Sequence, residues 1–115
     1  MIIRTAGIED IDQLEFLFDE YRSFYGKKTD RNKGRKFLTS RIENNESEIY
    51  ICELKDKTLA GFVQLYPYFS STNLKRLWML NDLFVKPLHR GKGISVEFEK
   101  SNFSEVSIVF LALDN

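Results

Sequence analysis

Ile8, Ile11, Leu14, Leu17, Phe18, Tyr21 and Phe24 recur every three or four residues with Asp, Glu and Gln between them, the spacing of one buried helical face. They predict a first helix, closed by Gly26 and preceded by a short β-prone run over residues 2 to 6. The stretch KKTDRNKG that follows is polar and reads as a loop, after which Phe37, Leu38 and Ile42 mark a second helix with a weaker apolar stripe. EIYICEL (48–54) and LAGFVQLYPYF (59–69) are β-branched and aromatic runs around the polar turn KDKT, which predicts a hairpin. LKRLWMLNDLFV (74–85) extends that hairpin to a three-strand meander. Over residues 94 to 104 Phe98 has few apolar companions at helical spacing, so a short helix at most is expected. VSIVFLAL (106–113) reads as a final buried strand.

A length of 115 residues points to a single domain, and 43% hydrophobic residues with ten Phe supply a core, which argues against disorder. Lys plus Arg and Asp plus Glu balance at 17 each, so the basic bias of a nucleic-acid grip is missing and any anion site must be local. No nucleic-acid partner is expected. One Cys and one His make neither an internal disulfide nor a structural zinc site, so no metal is expected and a reducing, cytoplasmic setting fits. The N-terminal MIIRTAGIEDIDQ carries acidic residues from position 9 and no run long enough for a signal peptide or a span, so no membrane partner is expected.

NDLFVKPLHRGKGIS (81–95) runs strand, turn, helix, and leaves the first peptide N–H groups of the helix facing the loop. Gly91 and Gly93 let a phosphate approach the backbone, with Arg90 and Lys92 at its edge, so a pyrophosphate is the natural occupant. Two familiar phosphate motifs do not match. Val96 stands where a dinucleotide fingerprint needs its third Gly, and Gly93 stands where a P-loop needs Ser or Thr. The antiparallel meander upstream argues against both.

The order strand, two helices, meander and LNDLFVKPLHRGKGIS resembles the GNAT superfamily of acetyl-CoA-dependent N-acetyltransferases. That family's hallmark, Arg/Gln-x-x-Gly-x-Gly/Ala, is matched by Arg90, Gly93 and, with a substitution, Ser95. YRSFYG in the first helix and GFVQLYP in the third strand are similar to the family as well. The resemblance implies an α/β fold with a mixed, mostly antiparallel sheet, flanking helices, and parallel strands 4 and 5 splayed around the cofactor. The implied cofactor is acetyl-CoA. Its pyrophosphate would rest on the backbone of Arg90, Gly91, Lys92, Gly93, Ile94 and Ser95, and its pantetheine arm would pair with the main chain of Leu83, Phe84 and Val85. The implied reaction is direct transfer of an acetyl group to a primary amine of a small molecule, with the Val85 N–H as oxyanion donor.

In the polyamine acetyltransferases that strand 4 resembles, a Glu occupies the position of Asn81. Asn cannot take a proton, so the base is Asp82 or a water ordered by Asn81, and a purely structural role for both is equally open. Strand alternation places Asn81 and Asp82 on opposite faces. Tyr66, Tyr68 and Phe69, and Tyr21, Phe24 and Tyr25 at the end of the first helix, are candidates for the wall of an amine pocket, with packing as their alternative role. His89 reads as rim decoration and Cys52 as a small buried hydrophobe. The family's usual acid is a Tyr on a helix after strand 5. That helix and the last strands have no counterpart before Asn115, so the chain is expected to be incomplete at its C-terminus. This motivates a second reading, a catalytically inactive, truncated GNAT remnant that binds coenzyme A or forms a homodimer through its exposed sheet edge.

Overall fold

Ile2–Thr5 (β1), Ile11–Phe24 (α1), Arg31–Glu43 (α2), Glu48–Glu53 (β2), Leu59–Ser70 (β3), Lys75–Val85 (β4), Ile94–Lys100 (α3) and Val106–Ser107 (β5) follow one another along the chain. The structure, a computed structural model, describes residues 1–100 and 106–107. The remainder of the expected last strand, 108–113, and the expected helical residues 101–104 lie outside the described residues. The sheet has the order β1-β2-β3-β4-β5. Its first four strands are antiparallel neighbours, and β5 lies parallel to β4 with Trp78 opposite Val106 and Met79 opposite Ser107. The α/β architecture, the meander and the parallel fifth strand are those expected from the sequence.

Helix α1 forms because Ile11, Leu14, Leu17 and Phe18 make one buried stripe. Ile8, read from the sequence as the start of that stripe, is instead exposed in a single 3₁₀ turn, Ile8–Asp10. Asp10 holds this turn: its carboxylate accepts the Gly7 N–H at 2.9 Å and pairs with Arg4 of β1 at 2.8 Å. The guanidinium beside it keeps the Asp10 carboxyl below the ordinary carboxylate range. Helix α2 starts earlier than expected, so Arg31 to Gly34 are helical and the polar loop is shorter. Asp30 explains this, since its side chain caps the helix by accepting the Lys33 N–H at 3.1 Å while its own N–H donates to Asp19 at 2.8 Å.

Both faces of the sheet are covered. Leu14, Leu17 and Leu38 of the first two helices pack on Ile51, Phe62 and Phe84. On the opposite face Ile94 and Phe98 of α3 pack on Val63, Leu65 and Leu80. Phe98 is fully buried although its own helix offers it few apolar neighbours, because the sheet supplies them.

The ladder between β3 and β4 contains one irregularity. Leu65 pairs with Leu80 and Gln64 with Asp82, so Asn81 is an extra residue, a β-bulge. The side-chain phase switches there. Leu80 before the bulge and Leu83 and Val85 after it join the α3 face, whereas Phe84 joins the α1–α2 face. Strict alternation across Asn81 and Asp82 therefore fails, and the two side chains are bonded to each other, Asn81 Nδ2 donating to Asp82 Oδ1 at 3.0 Å.

Beyond the bulge β3 and β4 approach closely at Gly61. A Cβ built there would lie 2.6 Å from the Phe84 carbonyl oxygen and 3.2 Å from Val85 Cα, both backbone atoms with little freedom to yield. Gly61→Ala is expected to destabilise the fold by about 1–3 kcal/mol through this overpacking. Urea unfolding checks it, and an unchanged midpoint would contradict the close approach.

Candidate cofactor and active site

The end of β4 turns backbone groups to its outer side. The Lys86 N–H donates to Ala60 O at 2.8 Å, and antiparallel ladders alternate, so the N–H and C=O groups of Val85 and Leu83 turn away from β3 toward the outer edge. Past Met79 that edge has no strand partner among the described residues. The Val85 carbonyl is reached by Arg90, whose Nε donates to it at 2.8 Å. The Arg90 guanidinium also lies 5.4 Å from the Phe24 ring and 5.5 Å from the Phe84 ring, so the loop leans on the end of α1.

After Val85 the chain makes a 3₁₀ turn, Pro87–His89, and enters the glycine loop. Gly91 and Gly93 have φ of 79° and 77°, conformations that side chains other than glycine's adopt only with strain. A Cβ at either position would meet no atom within 4 Å, so the space above both is open. The Glu97 N–H bonds the Gly93 carbonyl at 3.0 Å and closes the first turn of α3, which leaves the N–H groups of Ile94, Ser95 and Val96 directed at the loop.

Two cavities meet over this junction. One of about 380 Å³ lies over Arg90, Gly91, Gly93 and Ser95, and a second of about 290 Å³ lies between Leu83 and Phe84 and the α1 residues Phe24 and Tyr25. Val85, Arg90 and Ser95 line both. The structure thus brings together Leu83, Phe84, Val85, Arg90, Gly91, Gly93, Ile94 and Ser95, with Lys92 exposed beside them. The Phe84 and Ile94 side chains are themselves buried in the two cores.

Tyr25, Tyr66 and Tyr68 separate. Tyr25 lines the second cavity, but Tyr66 and Tyr68 line neither. Tyr68 pairs with Leu77 on the outer arm of the hairpin, and Tyr66 is held farther in, where burial and then the nearby Asp82 push its hydroxyl pKa up. Asp82 is buried, at 6% exposure, and both its oxygens are engaged. Oδ1 accepts from the Tyr21 hydroxyl at 2.8 Å and from Asn81, and Oδ2 accepts from Gln64 Nε2 at 2.8 Å. Gln64 Oε1 in turn accepts from Ser47 Oγ at 2.8 Å. Burial raises the Asp82 pKa, opposed by its hydrogen bonds, and burial followed by the Asp82 charge raises that of Tyr21. Tyr21 was a candidate only for the pocket wall, and Gln64 was not among the candidates. Gln64 was visible as a lone polar residue in an apolar strand, a signal that it must find a buried partner.

His89 lines the rim of the first cavity, and Cys52 is buried with its thiol pKa pushed up by burial. Among the described residues no group of His, Cys, Asp and Glu is arranged to hold a metal, and no helix is long and apolar enough to cross a membrane.

The sequence pattern of the Acetyltransferase (GNAT) family matches residues 11–97, from the start of α1 through the glycine loop. The chain belongs to the GNAT acetyltransferase family. It is 46% identical over 93 residues to an uncharacterised N-acetyltransferase, YhfO, of Bacillus subtilis, covering 81% of this chain and 62% of that protein. It is 40% identical over 76 residues to a probable acetyltransferase of Haemophilus influenzae, covering 66% of this chain and 52% of that protein. The crystal structure of a probable acetyltransferase, 37% identical, matches with a TM-score of 0.77 over 95% of this chain and 79% of that one. The chain therefore spans about half to three-fifths of the length of its curated relatives. The GNAT-matched segment contains both the outer edge of β4 and the glycine loop.

The buried carboxylate gives this GNAT domain a pH signature. Folded Asp82 holds its proton more tightly than the unfolded chain does, so its contribution to stability is complete below the unfolded pKa of about 3.9 and is lost as pH rises through the raised folded value. Asp82→Asn is expected to remove this loss, so that its stability falls less than that of the wild type as pH rises from about 4 toward neutrality. Urea unfolding across that range checks it. Parallel curves for the two proteins would contradict it.

Proposed function

We propose that this chain carries the cofactor cleft and acceptor wall of an N-acetyltransferase that moves the acetyl group of acetyl-CoA to a primary amine of a small molecule. One observation carries the reading: the outward-facing backbone of Leu83 and Val85 runs straight into a loop whose two left-handed glycines open onto free space. A thin, extended ligand with a phosphate group at one end suits that combination. The residues present fit such a cofactor, since the glycine positions leave room above the backbone and Arg90 and Lys92 bring positive charge. Ser95, in place of the family's Gly or Ala, is exposed and lines both cavities, and its small side chain leaves the passage between them open.

Bound acetyl-CoA would supply an acetyl group activated as a thioester. In this reading the loop N–H groups from Arg90 to Ser95 receive the pyrophosphate, and the edge of β4 receives the amide-bearing arm as an added strand would be received. The Val85 N–H, directed outward, is the donor for the acetyl oxygen as charge develops on it. Phe24 and Tyr25 wall the side from which an amine would approach. Asn81 or a water at its side chain takes the role of hydrogen-bond acceptor for that amine.

Calorimetric titration of the chain with acetyl-CoA tests this reading. The double variant Arg90→Ala, Gly93→Glu puts a carboxylate where the pyrophosphate belongs and is expected to bind at least about a hundredfold more weakly. Equal binding by the folded variant, or no binding by the folded wild type, would overturn the proposal.

A further inference from the structure

The bulge leaves one question of orientation that the sheet does not answer. Asn81 has no partner on β3, so the ladder does not fix its side chain. Asp82 does. A carboxylate only accepts, so the Asn81 amide must turn its NH₂ group toward it, and the 3.0 Å bond from Nδ2 to Oδ1 is that arrangement. The carbonyl oxygen of the same planar amide then points away from Asp82. Gln64 is fixed by the same rule, with Nε2 on Asp82 and Oε1 on the Ser47 hydroxyl.

Asp82 is held in turn from α1. The Tyr21 hydroxyl donates to the very oxygen that Asn81 uses, at 2.8 Å. The Tyr21 ring is wedged edge-on against Phe62 at 5.6 Å, Phe84 at 6.0 Å and Tyr25 at 5.2 Å, so the hydroxyl has little freedom to leave. Tyr25 is the ring that lines the second cavity, so Tyr21 stands one ring removed from it.

We infer that Tyr21 is a positioning residue for acetyl transfer: acting through Asp82, it fixes the Asn81 amide with its carbonyl oxygen free to accept the N–H of the incoming amine or of its ordered water. Asp82 is then an anchor and not the proton acceptor. This deepens the reading of the chain as an N-acetyltransferase and rests on it. In the step concerned, the amine nitrogen bonds the acetyl carbon as the C–S bond breaks. The thiolate leaves with the bonding electron pair and is neutralised by the amine's proton, carried by water. Asn81 Oδ1 takes part as a hydrogen-bond acceptor throughout, which orients the nitrogen lone pair without receiving the proton.

The test reads the Asn81 amide directly. In ¹H–¹⁵N correlation spectra of the labelled chain, Asn81→Ala identifies the side-chain pair by its disappearance. In the wild type that pair is expected to be split by its bond to Asp82 and to exchange slowly with solvent. In Tyr21→Phe, which keeps the ring and removes only the hydroxyl, the pair is expected to move toward the free-amide position and exchange about tenfold faster, while the backbone signals of β3 stay in place. Asp82→Asn is expected to move it further. A merely structural Tyr21 would lower the unfolding midpoint and leave the Asn81 exchange rate as it was. That result, an unchanged pair in folded Tyr21→Phe, overturns the proposal. Acetyl-CoA added to the same samples separates the two levels of the account. A locked pair in a chain that binds no acetyl-CoA defeats the reading of function, whereas binding with a pair indifferent to Tyr21 defeats the positioning role alone.

Discussion

The single extra residue in β4 is the constraint on which the rest of the structure turns. Were Asn81 paired as an ordinary strand residue, alternation from Leu80 would run on unbroken and Leu83 and Val85 would exchange faces with Phe84, away from the cores they now join. A bulge of this kind interrupts the ladder, and its position is fixed by the buried polar cluster beside it. Tyr21, Gln64 and Asn81 all donate to Asp82, so a carboxylate that would be costly if isolated satisfies three donors at once. The close approach at Gly61 completes the turn of the strand and leaves the Val85 backbone aimed outward.

This geometry explains why cofactor and acceptor features lie side by side. The bulge sends β4 toward the end of α1, where Phe24 and Tyr25 stand, and the glycine loop follows within a few residues. Arg90 ties the three parts together by bonding the Val85 carbonyl and covering the Phe24 and Phe84 rings. A small sheet with both faces covered thus leaves, among the described residues, one stretch of strand edge without a strand partner, and it is there that the proposed cofactor would pair.

Much of this was legible in the amino-acid order. The stripe of α1, the meander and the glycine loop are written in local periodicity and in residues whose backbone preferences are strong, so they needed no tertiary information. The start of α2 was hidden because its first turn, Arg31 to Gly34, carries no apolar side chain and depends on Asp30 as a cap, a residue type that turns use as well. The bulge was hidden for a deeper reason. Alternation is a property of a paired strand, and nothing local in LNDLFV says which residue β3 will leave without a partner. Tyr21 was read as helix packing or pocket wall, and its hydroxyl acquires a meaning only when Asp82, 61 residues away in sequence, is brought to 2.8 Å. Tyr66 and Tyr68 were grouped with Tyr25 by residue type, whereas neither lines the two cavities: Tyr68 lies on the outer arm of the hairpin and Tyr66 is held near Asp82.

The claim that the outer edge of β4 receives the cofactor is tested most directly by amide hydrogen exchange at Leu83 and Val85, with and without saturating acetyl-CoA. The account predicts that both amides become protected on binding, while Lys86, already bonded to Ala60, changes little. Saturation with no added protection at Leu83 and Val85 would contradict it.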